Sequence, residues 1–249
     1  MKHQSGWKAT KFEWHRGRWR GARNARELGV GSRLMSDLVA AQYETWLAGH
    51  AHGRLLDLGC GKVPLYGAYA KLVTEVTCVD WAPGEYIDLS CDLSQPLPLA
   101  DASFDTIILS DVLEHIPEPE LLWREMARVL APGGHVIMNV PFYYSVHAHP
   151  HDYYRYTNFA LERFVRLNGL ELRCLVPLGG IVEIIADLFA KAWSKLPWIG
   201  PPLSMLTQAL AGAFGRTGFG SRIALVSSRH FPLGYFMIAQ RPVIAGPAA

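Results

Sequence analysis

The nine residues Gly53–Gly61, GRLLDLGCG, constrain the fold of this chain more than any other stretch. A short apolar run ending in glycines reads as a buried strand entering a tight turn, where the backbone can approach a ligand that a Cβ would block. The pattern then repeats. A helix is predicted over about 64–72, a strand at EVTCVD (75–80), a strand at FDTIILSDV (104–112), an amphipathic helix at EPELLWREMARVL (118–130) and a strand at PGGHVIMNV (132–140). Strands and helices alternating at this spacing predict a parallel sheet covered on both faces, and right-handed crossovers make it doubly wound. Further on, TNFALERFVRLNG (157–169) reads as a capped helix, LELRCLVPL (170–178) as a strand, and HFPLGYFMIAQRP (230–242) as the last strand.

Half of the 249 residues are hydrophobic and 18% are charged, enough for a substantial core. The charge is unevenly placed. Residues 1–33 hold nine Lys/Arg against Glu13 and Glu27, while the remainder holds fifteen basic and twenty acidic residues. A basic arm of about +7, interleaved with Trp7, Phe12, Trp14 and Trp19, therefore precedes a slightly acidic body. The expected organisation is an arm over 1–32, one domain over 33–242 whose first helix is capped by Ser32, an apolar helical insertion at about 180–215, and a frayed tail at 243–249. Cys60, Cys78, Cys91 and Cys174 form no CxxC pair and read as reduced, structural thiols. The N-terminus lacks an apolar signal segment, so a cytoplasmic location is expected. The charge-free run 196–215 contains three prolines, which leave about twelve helical residues, or roughly 18 Å against a hydrocarbon core of ~30 Å. It is too short for a membrane span.

In doubly wound sheets ligands bind beyond the carboxyl ends of the strands. Here the first such end carries Asp57, Gly59, Cys60 and Gly61, and Asp80 stands nineteen residues past Gly61 at the tip of the next strand, placed to accept from a ribose diol. A dehydrogenase fingerprint would need a third glycine where Pro64 stands, and no P-loop motif occurs. An acid at 57 would repel a pyrophosphate but suits a cofactor carrying an ammonium and a sulfonium.

With LLDLGCG, the VD at 79–80, CDLSQPLPLADASFDTIILSDVLEHI and EMARVLAPGGHVIMNVP, the chain resembles the class I S-adenosylmethionine-dependent methyltransferases. Within them it is similar to the small-molecule, type 11-like group that includes ubiquinone- and menaquinone-biosynthesis enzymes. The resemblance covers roughly residues 53–175 and the last strand. It implies a Rossmann-like α/β fold: a seven-stranded sheet, mostly parallel with an antiparallel last strand, here with inserted apolar helices. It also implies S-adenosylmethionine as cofactor and S-adenosylhomocysteine as product. Position by position, it places the Asp57–Gly61 loop against the methionine part and Asp80, followed by Trp81, at the ribose. Asp92 and Leu93 would border the adenine, Ser110 and Asp111 would lie beside the transferring methyl, and His115 would face the site. The stretch between Asp80 and Asp92 is short and holds Pro83 and Gly84, so the helix usual there is expected to be reduced.

Methyl transfer asks the protein to hold an acceptor in line, exclude water and, for a hydroxyl, provide a base. His115 is the first candidate base, and His147, His149, His151 and Asp152 the second, with His151 and Asp152 foremost. These last lie in HAHPHDYYRYT (147–157), whose His147, His149, Tyr153, Tyr154 and Arg155 are expected to contact the acceptor as an aromatic flap. Arg155 would supply a bidentate fork for an acid, or only brace Asp152. Three histidines at alternate positions would share a face if extended, but Pro150 interrupts them, and no metal is assigned.

The expected activity is O-methylation of a small, lipid-like or sugar-containing acceptor. The rivals are a nucleic-acid methyltransferase, drawing on the basic aromatic arm, and a non-catalytic cofactor-binding module of the same fold. NVPF at 139–142 is a near miss to a base-amine motif but follows the wrong strand. The arm reads as a solvated segment partly folding over the cleft, or as a contact to an anionic membrane or lipid-linked substrate. The apolar face Ile181, Val182, Ile184, Ile185, Leu188, Phe189, Ala192 and Trp193 reads as packing on the sheet or on a homodimer partner, as a pocket wall, or as interfacial insertion.

Overall fold

Near-continuous apolar runs form the central strands, because a strand covered on both faces has no solvent side to alternate toward. In the computed structural model, which describes residues 1–243, these are β3 (Arg54–Leu58), β4 (Glu75–Asp80), β6 (Phe104–Ser110) and β7 (Leu130–Pro141). With β5 (Leu89–Ser90), β8 (Glu171–Leu178) and β9 (Gly234–Gln240) they make a seven-stranded sheet in the order β5-β4-β3-β6-β7-β9-β8. All neighbouring pairs from β5 to β7 are parallel, and β9 runs antiparallel to both β7 and β8. The expected fold is therefore present. The predicted frayed tail, Val243 apart, lies outside the described residues.

One apolar cluster fills each face. α1 (Arg33–His50) and α2 (Tyr66–Tyr69) cover one side over Leu55, Ile108 and Phe236, while α3 (Pro119–Val129) and α4 (Asn158–Leu167) cover the other over Leu56, Ile107 and Met237. Alternate residues of a strand point to opposite faces, which is why neighbours such as Ile107 and Ile108 fall in different clusters. Thr157 caps α4 by accepting from the Ala160 amide at 3.2 Å, as predicted. Ser32 does not cap α1; its hydroxyl instead accepts from Tyr144 at 3.2 Å. The helix expected over 64–72 shrinks to the single turn of α2, and no helix forms between β4 and β5.

Two regions depart further from the sequence expectation. The arm forms the hairpin β1 (Phe12–His15) and β2 (Arg18–Gly21), with Phe12 buried in the core and Gly21 against Ser36 of α1, where a Cβ would lie 2.8 Å from that side chain. The insertion is longer than expected: α5 (Ile181–Ser194), α6 (Gly200–Gly215) and α7 (Gly218–Ser227). α5 is also turned over. It buries Glu183, Ile184, Ala186, Asp187 and Ala190 and exposes Ile185, Leu188 and Phe189, so most of the expected apolar face does not pack on the sheet. Burying the acids is tolerable because Glu183 accepts from the Gly180 amide at 2.8 Å and Asp187 pairs with Lys191. Among the described residues no helix is long and apolar enough to cross a membrane.

Candidate active site

The chain leaves β3 for β4 and β5 on one side and returns to β6 on the other, so β3 and β6 flank the switch point at which doubly wound sheets open a crevice. The turn after β3 lies there. Gly59 and Gly61 adopt φ of +66° and +51°, and a Cβ on Gly59 would meet Val112 side-chain carbons at 2.6 and 2.7 Å, whereas one on Gly61 would meet open space. The first glycine is thus required by packing against the end of β6, and the second leaves the backbone open to a ligand. Val63 (φ +51°) and Asp111 (φ +52°) also hold left-handed conformations, which concentrates unfavourable backbone at this crevice.

Asp80 at the tip of β4 accepts from the Gly61 amide at 2.8 Å, which joins the ribose candidate to the glycine turn. Trp81 beside it is 70% exposed. Asp57 is buried, accepts from the Tyr69 hydroxyl at 2.7 Å, and is pushed up to about 7 by that burial, with Asp80 adding to the shift. Cys60 and Leu93 are buried, and Asp92 accepts from the Ser94 amide at 2.8 Å, which fixes the turn after β5.

At the end of β6 a polar network appears that the sequence reading missed. Asn139 of β7, fully buried, accepts from Tyr43 at 2.9 Å and from Ser110 at 2.8 Å, and donates to Asp111 at 2.6 Å. Its carbonyl also accepts from the Asp111 amide at 3.1 Å, so one residue holds Asp111 by backbone and side chain together. The other Asp111 oxygen accepts from Lys11 at 2.5 Å. Burial alone would lower the Lys11 ammonium, but Asp111 holds it above its ordinary value. Lys11 belongs to the arm, and Trp7 of the same segment donates to the Val63 carbonyl at 3.0 Å. The arm therefore straps the glycine turn and the end of β6. The signal available was NVPF, set aside as a near miss to another motif although its first residue organises the site.

The segment 147–157 folds over the same crevice as a loop, clamped when the Tyr153 and Tyr154 amides donate to the Glu114 carbonyl at 2.9 and 3.2 Å. Its histidines diverge. His151 meets the Trp81 ring edge-on at 5.3 Å between centroids, His149 is exposed, and His147 stacks edge-on to His115 at 4.8 Å. The shared face expected of an extended segment is thus absent. Arg155 grips Asp152 with two bonds, of 2.6 and 2.8 Å, and Asp152 also accepts from the His147 amide at 2.9 Å. The Arg155 guanidinium holds the Asp152 carboxyl far below the usual carboxylate range. Asp152 is therefore geometrically a brace rather than the base expected of it, and Arg155 is spent on that brace. Tyr153 and Tyr154 are exposed on the flap, and Tyr154 donates to the Pro117 carbonyl at 2.9 Å.

Beneath the flap lies Glu114, another residue that sequence reasoning passed over. It is fully buried, and neither carboxylate oxygen has a hydrogen-bond partner. Burial and the nearby Asp111 push its carboxyl well above the ordinary range. His115 Nε2 stands 3.7 Å and His147 Nε2 3.8 Å from its Oε1. Burial lowers His147, with His115 adding to the effect despite Asp152, so its imidazole is neutral near pH 7.

Comparison with known proteins agrees with this geometry. Residues 56–138 match the family described as Methyltransferase domain. The ubiquinone biosynthesis O-methyltransferase of Xanthomonas euvesicatoria pv. vesicatoria is 32% identical over 103 residues, which cover 36% of this chain and 43% of that protein. An uncharacterized methyltransferase of Mycolicibacterium paratuberculosis is 31% identical over 154 residues, 55% of this chain and 60% of that one. The chain thus spans about half the length of these relatives. A putative methyltransferase from Bacillus halodurans superposes with a TM-score of 0.53 at 16% identity, over 83% of this chain and 99% of that one. Residues 56–138 thus match a methyltransferase domain, and the glycine turn, the acid at the tip of β4 and the strand order give the chain the Rossmann-like fold of the class I S-adenosylmethionine-dependent methyltransferases.

Proposed function

We propose that the protein transfers a methyl group from S-adenosylmethionine to an oxygen of a small, lipid-like acceptor. The observation that carries the reading is the convergence at one switch point of the open Gly61 backbone, Asp80 and the Asn139-held Asp111. The residues fit the cofactor: a turn in which a Cβ at Gly61 would project into open space, the Asp80 carboxylate bonded to that turn at the tip of β4, and acids suited to a cation. When bound, the cofactor supplies a methyl group already activated by its sulfonium. The chain's own residues do the rest. Asp80 accepts from the ribose hydroxyls, Asp92 and Leu93 border the adenine, and Ser110 and Asp111 stand beside the transferring group. The flap 147–157 and the arm exclude water, while Tyr153 and Tyr154 offer the acceptor apolar area with polar tips.

The lipid-like acceptor is supported by the surface of α5–α7. Leu188, Phe189, Leu206, Leu210, Phe219 and Leu225 are all exposed there, and Trp198 between α5 and α6 is 93% exposed. The acids of that unit, Glu183 and Asp187, are buried, while Lys195, Arg216, Arg222 and Arg229 are exposed. Arg216 also joins Arg18, Arg20, Arg23 and Arg33 of the arm and α1 around one groove. Arg20 is paired with Glu13 and Arg23 with Asp37, whereas Lys195, Arg216, Arg222 and Arg229 are exposed beside the apolar area, an arrangement that suits an anionic lipid surface. Calorimetric titration with S-adenosylmethionine tests the cofactor assignment: heat of binding is expected from the intact chain, and none at high protein concentration overturns the reading. Asp80→Ala is expected to weaken binding about 100-fold, as loss of two charge-assisted hydrogen bonds implies.

A further inference from the structure

We propose that Glu114, His115 and His147 form a site for one divalent transition-metal cation, at the acceptor side of the crevice. Their ligand atoms lie within 4.8 Å of one another. Two observations beyond proximity point to a cation. The first is the orientation of the rings. His115 Nδ1 lies 2.6 Å from the His151 carbonyl oxygen, and His147 Nδ1 lies 3.2 Å from the Ser145 carbonyl oxygen and 3.3 Å from Asp152. A carbonyl only accepts, so each Nδ1 carries the proton and donates, and each Nε2 turns a lone pair toward the Glu114 carboxylate. Imidazole ligands of metals are held in this way, the outer nitrogen tied to a carbonyl or carboxylate.

The second is Glu114 itself, wholly buried with both oxygens unpartnered. Nearby cations are already committed, Lys11 to Asp111 and Arg155 to Asp152. A buried carboxylate with no donor and no counter-ion is an arrangement native structures avoid. A proton on either ring does not fill the gap, since 3.7 and 3.8 Å exceed hydrogen-bonding range. Around a zinc-like ion, with metal–ligand distances of about 2.0–2.2 Å, tetrahedral ligands sit about 3.4 Å apart, so the two Glu114–imidazole distances need close by about half an ångström and the widest pair by about 1.4 Å.

Two imidazole nitrogens and one carboxylate oxygen favour Zn²⁺, Co²⁺ or Mn²⁺ over Mg²⁺ or Ca²⁺. Exposed His149 and the Arg155-bound Asp152 are not ligands, so the site is not an array of the three alternate histidines, and it stands where the sequence reading assigns no metal. Three protein ligands leave a position open, as catalytic sites do. The consequence for chemistry rests on the O-methylation reading. A cation there acidifies an acceptor hydroxyl. Its proton leaves to solvent, the new O–C bond forms as the C–S bond breaks, and the bonding pair stays on sulfur.

The test uses protein dialysed against a chelator, then titrated with ZnCl₂ by calorimetry and with CoCl₂ by visible absorption. One equivalent is expected to bind, with Co²⁺ giving ligand-field bands. Glu114→Gln and His147→Ala are each expected to weaken binding by about 100-fold or more, at least what loss of an outer-shell partner costs. His149→Ala is expected to bind as the parent does. Circular dichroism of each variant reports that it is folded. A parent protein that takes up neither ion, or folded variants that bind them as tightly as the parent, overturns the proposal. S-adenosylmethionine titrated into the same metal-free protein reads the methyltransferase assignment separately, so failure of one is not mistaken for failure of the other.

Discussion

Replacing Asn139 by alanine removes the residue through which the core reaches the carboxyl end of β6. Three side-chain bonds disappear: from Tyr43 at 2.9 Å, from Ser110 at 2.8 Å, and to Asp111 at 2.6 Å. The Tyr43 hydroxyl is wholly buried and would keep no acceptor, which costs about 1–3 kcal/mol. Ser110 and Asp111 are only half-buried and recover part of their loss from water, leaving about 1–2 kcal/mol between them. Asn139→Ala is therefore expected to destabilise the fold by about 2–5 kcal/mol. Tyr43→Phe, which removes the donor rather than stranding it, should cost about 1 kcal/mol. Urea unfolding of both variants and of the double variant measures the difference. The double variant should be more stable than the sum of the single losses predicts, because the stranded hydroxyl is gone. Additive losses, or an Asn139→Ala cost below about 1 kcal/mol, would refute the claim that Asn139 anchors this network.

Two further outcomes follow from the same structure. His135, buried beside His50 and His52, is held down to about 4, whereas the unfolded chain titrates near 6.5. Below pH 6.5 the unfolded state binds the proton and the folded state does not, so this stability is present above 6.5 and lost as pH falls toward 4. Between pH 7 and pH 5 the loss should be about 2 kcal/mol, and His135→Gln should flatten that part of the urea-derived profile. If the profile is unchanged in the variant, the shift belongs elsewhere. At the apolar surface, flotation with vesicles of anionic lipid is expected to carry the protein upward, and vesicles of zwitterionic lipid to do so less. Trp198→Ser with Leu188→Ser should reduce flotation about tenfold or more, given the area exposed there. A dimer in solution, with no vesicle binding, would assign that face to a second copy instead.

The glycine turn, the acid at the tip of β4 and the alternation of strands were legible because each is local. A buried strand shows as an apolar run, a tight turn shows as glycine, and a right-handed crossover then leaves few topologies. Helix boundaries were less legible. The 64–72 pattern yields one turn, on which Trp19 and Trp7 of the arm pack at Gly67, where a Cβ would meet their rings at 2.7 and 2.8 Å. For α5 the linear pattern leaves open packing on the sheet or on a partner copy, a place in a pocket wall, or a place at an interface. Its few acids found partners, Gly180 for Glu183 and Lys191 for Asp187, and nothing in a linear pattern announces such pairs.

The sequence by itself determined the layered fold, which follows from period, spacing and backbone permission, and through its methyltransferase motifs it pointed to the cofactor. Tertiary structure alone decided which polar groups meet. Lys11 and Asp111 are a hundred residues apart, as Asn139 and Tyr43 are ninety-six, and their contacts exist only because the arm and β7 are brought to the end of β6. The same holds for HAHPHDYYRYT. Alternate spacing suggested three histidines acting together, but a loop has no fixed period, and the fold sends them to three places. Of the three, His147 alone meets the buried carboxylate of Glu114, thirty-three residues earlier in the chain.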